Sequence, residues 1–314
     1  MPAAQHLGGR MDAELSAALI MFDIGDGTDL EDGRERLHAI HRTSSLTVPH
    51  AVEVRDIAPG PDGPPVRVRF YRPRGAADVP VMLWLHGGAF AFGFAEIDDE
   101  LCVRLAEDSG FAIASPDYRL SPEHPFPAAF DDGYGTLEWV LRNAGPLGLD
   151  TGCVAVGGSS AGGALAAGVC LRARDEGGPE IHQQLLICPV TDDRMATRSM
   201  QLYTHSPCFT RQGAELMWDR YLGPSRDEPP RYAAPAREED LSGLPPAFVL
   251  TAEEDPLRDE GIDYALRLIA AGTSTELHHV PGTFHSFDSI VPTAGVSQRA
   301  YADYLAALQR CRTR

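Results

Sequence analysis

The sequence predicts an α/β fold, a mostly parallel sheet with helices on both faces, and three observations predict it. Apolar runs short enough to be buried strands recur at Val81–Leu85, Phe111–Ser115, Val154–Gly157, Leu185–Cys188, Phe248–Thr251 and Glu276–Val280. Between them lie segments with apolar residues at helical spacing, near Leu101–Glu107, Ala128–Asn143, Ala164–Arg174, Gly261–Ala271 and Ser297–Gln309. This alternation is how parallel strands joined by crossover helices read in sequence, and ligands of such sheets bind beyond the strands' carboxyl ends. Finally, 314 residues with 43% apolar content can bury a large core. Length alone suggests two domains, but sheets of this kind reach this size as one.

In chain order, the first element to explain is N-terminal. From Met11 onward, Leu15, Ala18, Leu19 and Phe22 recur at helical spacing, and a second helix is expected through Leu37 and Ile40. Val52-Glu53-Val54-Arg55 and Val66-Arg67-Val68-Arg69 then flank Ala58–Pro65, a Pro/Gly-rich stretch that reads as the turn of an edge hairpin. The alternating strands and helices follow. After Pro189 the stretch Thr191–Pro230 breaks the alternation and holds one amphipathic set, Ala214, Met217, Trp218, Tyr221 and Leu222. The other helices suffice to cover the sheet. The N-terminal helices and this insertion are therefore the lid candidates, with the stripe around Leu15 expected to pack on Met217, Trp218 and Tyr221.

Ser160 sits in Gly158-Ser159-Ser160-Ala161-Gly162, directly after the apolar run Cys153-Val154-Ala155-Val156 and before a small-residue helix that begins near Ala161. A strand, a tight turn centred on serine and a helix form the context in which Gly-x-Ser-x-Gly exposes a nucleophile. The glycines make room for a turn too sharp for side chains, which forces the hydroxyl outward above the sheet. Alone, the pattern could be a plain turn. Here His86-Gly87-Gly88-Ala89 follows the strand Val81–Leu85, Asp255 stands at the carboxyl end of the strand Ala247–Thr251, and His285 lies on the loop after Glu276–Val280. Ser, then Asp, then His is the chain order that accompanies this elbow.

These residues, with Asp117–Ala129, Leu244–Ala247 and Asp255–Gly261, resemble the hormone-sensitive-lipase-like family of α/β hydrolases, which includes bacterial acetyl esterases and arylacetamide deacetylases. The similar blocks are correctly ordered and spread from about residue 65 to the C-terminus. The resemblance implies an α/β-hydrolase fold in a single domain, residues 1–314, with a helical cap built from about 1–45 and about 191–230. Three positions depart from the pattern. Ala89 replaces a third glycine, and its N–H can serve if its φ is negative. Ser159 stands where relatives often carry an acid, which leaves its role open. Ser286 follows the histidine in place of glycine, a change expected to touch only the loop.

A serine hydroxyl is a poor nucleophile at neutral pH and needs a base within hydrogen-bond reach. His285 is the candidate base, and Asp255 would hold its tautomer and steady the imidazolium. The tetrahedral oxyanion needs donors, for which the N–H groups of Gly88, Ala89 and Ala161 are the candidates, with His86 and Gly87 shaping the supporting turn. Glu253, Glu254 and Asp259 compete with Asp255 but also read as solvated acids at a helix start, and the place before Pro256-Leu257 in the resembled block favours Asp255. His278 and His279 compete with His285, yet their strand positions read as one packed and one solvated side chain. His41, His50 and His124 have no partner pattern and read as surface or loop residues. Phe90, Phe92 and Phe94 either pack their loop onto the core or line the substrate pocket, for which Phe90, Phe92 and Trp218 are the candidates.

Composition excludes other classes. Net charge is −18 from 27 basic and 45 acidic residues, and no basic cluster interrupts it, so nucleic acid is not an expected partner. Met1–Arg10 lacks a basic start followed by an apolar core, and no stretch approaches the roughly 18 apolar residues of a membrane span, so a soluble, cytoplasmic protein is expected. The six cysteines are scattered without metal-type spacing and read as buried free thiols. The glycines around Ser160 lack both the GxGxxG spacing and a Walker lysine, and there is no HExxH, so neither cofactor nor metal is implied. The expected function is hydrolysis of small-molecule carboxylic esters through an acyl-serine; short to medium acyl chains are implied by the resemblance alone. The same triad acting on an amide, lactone, carbamate or specialised metabolite ester stays open, because fold and triad do not fix the leaving group. A non-catalytic small-molecule-binding protein is the remaining alternative, disfavoured by the presence of all three residues. Oligomeric state is open, a homodimer being one option.

Overall fold

The computed structural model describes residues 11–19, 29–43 and 46–312. In chain order it runs α1 (Ala13–Leu19), α2 (Leu30–Thr43), β1 (Val52–Ile57), β2 (Val68–Pro73), β3 (Val79–Leu85), α3 (Asp99–Ser109), β4 (Ala112–Pro116), α4 (Ala128–Arg142) and α5 (Ala144–Leu147). There follow β5 (Leu149–Ser159), α6 (Ala161–Glu176), β6 (Gln183–Ile187), α7 (Arg198–Leu202), α8 (Arg211–Leu222), β7 (Ala247–Glu254), α9 (Arg258–Ala270), β8 (Thr275–Phe284), α10 (Phe287–Ile290) and α11 (Gly295–Cys311). The strands form one eight-stranded sheet in the order β1-β2-β4-β3-β5-β6-β7-β8. β1 and β2 make the expected edge hairpin, with Val52 opposite Pro73 and Ile57 opposite Val68. β2 is also antiparallel to β4, and every other neighbouring pair is parallel.

The residue alternation of a strand sorts the two cores. Every residue of β3 is buried. Val81, Leu83 and Leu85 point into the layer that holds Phe130, Leu165 and Tyr264 of α4, α6 and α9, whereas Met82 and Trp84 join Val103 of α3 and Tyr304 and Leu308 of α11. A central strand buried on both faces reads as a continuous apolar run because neither face meets water. α6 is likewise buried almost all round, which is why its sequence shows small residues rather than an amphipathic stripe.

The N-terminal stripe goes elsewhere than expected. Leu15 is fully buried, but in the layer of Trp84, Phe284 and Phe287, while Met217, Trp218 and Tyr221 of α8 lie in the opposite layer with Phe90. Two hydrogen bonds explain it: Asp12 N–H donates to Gly282 O at 2.8 Å, and Gly295 N–H donates to Glu14 Oε2 at 2.6 Å. These bonds tie α1 beside the end of β8 and the start of α11. Phe22 lies outside the described residues. α2, in contrast, reaches the loop after β3, where Phe94 stacks on His38 at 4.5 Å and meets His41 edge-on at 5.1 Å. His41, expected to have no partner, thus has one. The insertion meets the same loop through Tyr221, stacked on Phe90 with ring centroids 3.6 Å apart.

Candidate active site

β5 ends at Ser159 and α6 begins at Ala161, so Ser160 alone carries the turn, at φ 56° and ψ −118°. A non-glycine residue held there costs on the order of 1–3 kcal/mol. The glycines allow it: a Cβ on Gly158 would lie 2.4 Å from the Gly162 backbone, and one on Gly162 would lie 1.8 Å from Leu85 O. Ser160 N–H donates to Ile187 O at 2.8 Å, and its carbonyl accepts from Gly163 and Val190 N–H at 3.0 and 3.2 Å. Strand, helix and neighbouring strand together over-determine the conformation.

Ser160 Oγ–H donates to His285 Nε2 at 2.9 Å, and His285 Nδ1–H donates to Asp255 Oδ2 at 2.7 Å. An ionised carboxylate only accepts, so the proton sits on Nδ1 and Nε2 is left as the acceptor. The second carboxylate oxygen accepts from Leu257 N–H at 2.9 Å. Asp255, Ser160 and His285 are 1%, 4% and 5% exposed. Asp255 directly follows β7 and His285 directly follows β8; the two strands are parallel neighbours, so residues 30 apart in sequence emerge side by side. The rivals are engaged elsewhere. Glu253 accepts from Gly282 N–H, Asp259 pairs with Arg258, His278 lies between Glu276 and Asp303, and His279 meets Thr251 Oγ1.

The turn after β3 runs alongside the elbow, since a Cβ on Gly87 would lie 3.3 Å from Ser159 O and 3.5 Å from Ser160 Cβ. Ala91 and Phe92 N–H both donate to Gly88 O, at 3.0 and 2.8 Å. Within this closed turn Gly88, Ala89 and Phe90 have φ of 121°, 52° and 56°. The negative φ on which the use of the Ala89 N–H was conditioned is therefore not found. A turn this tight needs left-handed backbone, which alanine adopts at a cost of roughly 1–2 kcal/mol. Gly88 is required, because a Cβ there would lie 2.2 Å from Phe92 O. Ala161 is the first residue of α6, and its N–H belongs to those that a helix leaves without an intrahelical partner. Ser286 also takes a positive φ, 58°, a backbone that glycine would adopt without strain.

Beneath the turn, His86 is fully buried and stacks on Tyr118 at 4.0 Å, its Nδ1–H donating to Gly87 O at 2.7 Å. Burial pushes its pKa down to about 4, so it is a neutral scaffold. Phe90 and Trp218 are fully buried and do not line an open pocket; burying two large rings anchors the turn to the core instead. Phe92 keeps partial exposure beside Arg220.

Sequence reasoning missed three features. Phe209, in the loop before α8, lies 5.0 Å from the His285 ring, a contact between distant segments that no spacing announces. Cys188, just past β6, comes within 4.8 Å of the ligand atoms of Asp255 and His285; burial raises its thiol well above the usual range. Finally, burial pushes the carboxyls of Asp98 and Asp288 up to about 6, with Trp84 Nε1–H donating to Asp98 Oδ2 at 2.7 Å.

The family described as alpha/beta hydrolase fold matches residues 82–289. The carboxylic ester hydrolase LipN of Mycobacterium tuberculosis is 40% identical over 266 residues, covering 82% of this chain and 70% of that protein. Among solved structures, a bacterial heroin esterase superposes with a TM-score of 0.91 at 46% identity, covering 96% of this chain and 98% of that one. The esterase LipW of Mycobacterium marinum gives 0.89 at 40% identity, covering 97% of each. With the elbow, the strand order and these likenesses in agreement, the chain belongs to the α/β-hydrolase-fold family, in its hormone-sensitive-lipase-like branch of ester hydrolases.

Proposed function

We propose that this protein is a serine carboxylesterase in which Ser160 attacks the acyl carbon, His285 takes its proton and Asp255 holds the imidazole. The observation that carries the reading is the unbroken Asp255–His285–Ser160 chain, at 2.7 and 2.9 Å, ending on a strained elbow. As Ser160 Oγ bonds to the carbonyl carbon, its proton passes to Nε2, and the imidazolium that forms is stabilised by the buried Asp255 carboxylate. Negative charge gathers on the former carbonyl oxygen, for which the N–H groups of Gly88, Ala89 and Ala161 are the proposed donors. One such donor is worth on the order of 3 kcal/mol to the transition state. When the tetrahedral intermediate collapses, Nε2–H protonates the leaving alcohol. A water then enters, loses its proton to Nε2 and releases the acid, restoring Ser160.

The substrate class is a small ester with a short to medium acyl chain. α2 and the insertion 191–230, which both meet the loop after β3, act as a cap that keeps bulk water from the acyl-enzyme. Phe209 beside His285 and the low exposure of all three triad residues support a narrow, enclosed site. The test is hydrolysis of p-nitrophenyl esters of graded chain length, alongside fluorophosphonate labelling with peptide mapping. Label on Ser160 and a maximum at short chains are expected; a protein that is neither labelled there nor active would overturn the reading.

A further inference from the structure

The turn carrying Gly88 and Ala89 is costly, and its own two bonds to Gly88 O are not its only restraint. Two non-glycine residues, Ala89 and Phe90, sit at positive φ, each at a cost of roughly 1–2 kcal/mol. Such a conformation persists only where the surroundings over-determine it. Part of the restraint comes from Ser121, whose N–H and Oγ–H both donate to Phe90 O, at 2.8 and 3.0 Å. A further part comes from α2. Arg34 Nε–H donates to Ala91 O at 2.8 Å, and Nη2–H donates to Ser121 O at 3.1 Å. The same guanidinium is aimed by Glu123, which it meets with two bonds of 2.7 and 2.9 Å. One planar group therefore joins the turn to the segment that braces it, and the guanidinium's fixed fork of donors suits it to this where an ammonium would not.

We propose that Arg34 is a positioning residue for catalysis: by clamping Ala91 O and Ser121 O it holds the Gly88–Ala89 turn in the geometry that receives the oxyanion. The inference rests on the serine-esterase reading and adds a role for the N-terminal helix α2, which lies outside the residues 82–289 that the family model matches. Ground-state binding makes little demand on this turn, whereas the tetrahedral oxyanion needs its donors in place. Loss of the clamp should therefore fall on kcat.

The experiment uses the full chain and the variants Arg34→Ala, Arg34→Lys and Glu123→Gln, each checked for an unchanged melting transition at the assay temperature. Arg34→Ala is expected to lower kcat by about 10- to 100-fold on a short p-nitrophenyl ester, part of the 10²–10³ that loss of one oxyanion donor costs, with KM within about threefold. A boronic acid, which forms a tetrahedral adduct on the serine, should lose affinity by the same factor as kcat/KM. Arg34→Lys should recover little, because an ammonium cannot bridge both carbonyls and Glu123, whereas added ethylguanidinium should partly restore the Arg34→Ala activity. Glu123→Gln, which unaims the fork but leaves it in place, should fall between. Kinetics of Arg34→Ala within twofold of wild type would overturn the inference, and so would a loss confined to KM with boronic acid affinity unchanged, or full recovery with lysine. The two readings fail separately. Wild-type protein that takes no fluorophosphonate on Ser160 sinks both, whereas wild type and Arg34→Ala labelled at equal rates sink only the clamp.

Discussion

The elbow at Ser160 and the turn at Gly88–Phe90 lie side by side, and both hold non-glycine residues at positive φ, but they are held in different ways. The elbow is restrained by the strand and helix that adjoin it in the chain and by the neighbouring β6, whose Ile187 O accepts from Ser160 N–H. β5 runs in, α6 runs out, and Gly158 lets the two approach so closely that a methyl on it would overlap the Gly162 backbone. The turn after β3 enters no helix of its own and, beyond its own bonds to Gly88 O, is held by residues far off in sequence, Ser121 and Arg34. A locally determined strained site tolerates no change in its own glycines. A remotely determined one should tolerate local changes and respond to distant ones.

The largest effect expected at the elbow is chemical. Ser160→Ala should lower kcat by about 10⁵- to 10⁶-fold, as loss of a triad nucleophile does elsewhere, and Asp255→Asn by roughly 10³ to 10⁴, because the imidazole tautomer is no longer held. Ser159→Ala should stay within about tenfold of wild type, and steady-state kinetics on a short ester separates the three. An inactive Ser159→Ala beside an active Ser160→Ala would move the nucleophile by one residue. Next in size, Gly162→Ala should cost about 3 kcal/mol or more, or prevent soluble folding, since the carbonyl it meets is backbone and cannot swing away. Chemical denaturation close to wild type would show that the elbow is less tightly specified than the contact implies.

A third effect tests the acids that burial has perturbed. The Asp98 carboxyl is raised from 3.8 to about 6, so the folded state keeps a proton that the unfolded chain has released. Its contribution to stability is present below about pH 4 and is lost as pH rises through 6. Asp98→Asn keeps an acceptor for Trp84 Nε1 and removes the buried charge. It should raise stability above pH 6 by on the order of 2 kcal/mol and make no difference near pH 4. A variant less stable than wild type at pH 8 would mean that the ionised carboxylate is better solvated than its burial suggests.

The two smallest effects return to the remotely held turn. Ser121→Ala removes one of the two bonds to Phe90 O and leaves the backbone one, so kcat should fall about tenfold, near the ~1 kcal/mol of one hydrogen bond. Ala89→Gly relieves positive φ at the expense of a freer unfolded chain. A net gain of about 0.5 kcal/mol, with kcat within about threefold, is expected from denaturation and kinetics. If Ala89→Gly were as damaging as Gly162→Ala, the contrast between the two sites would collapse.

By itself the sequence determined the parallel core, the edge hairpin, the elbow and the grouping of Ser160, Asp255 and His285, because each rests on local signals: strand and helix periods, glycines where the backbone must turn or close up, and a strand's end placing Asp255 and His285 at the sheet's carboxyl edge. It also carried Asp255 over its neighbours, since a family block distinguished acids that composition could not. What only the tertiary structure decided are the contacts between segments with no common period. Leu15 lies on the opposite layer from Trp218 because the Asp12 N–H bond to Gly282 O and the Glu14 carboxylate's bond from Gly295 N–H place α1 there. Phe90 and Trp218 face the core instead of a pocket because two large apolar rings gain more by burial than by lining a cleft. Ala89 takes positive φ, and Arg34 sits on Ala91 O, for the same reason: a strained turn is set by whatever surrounds it, and a linear sequence does not say what that will be.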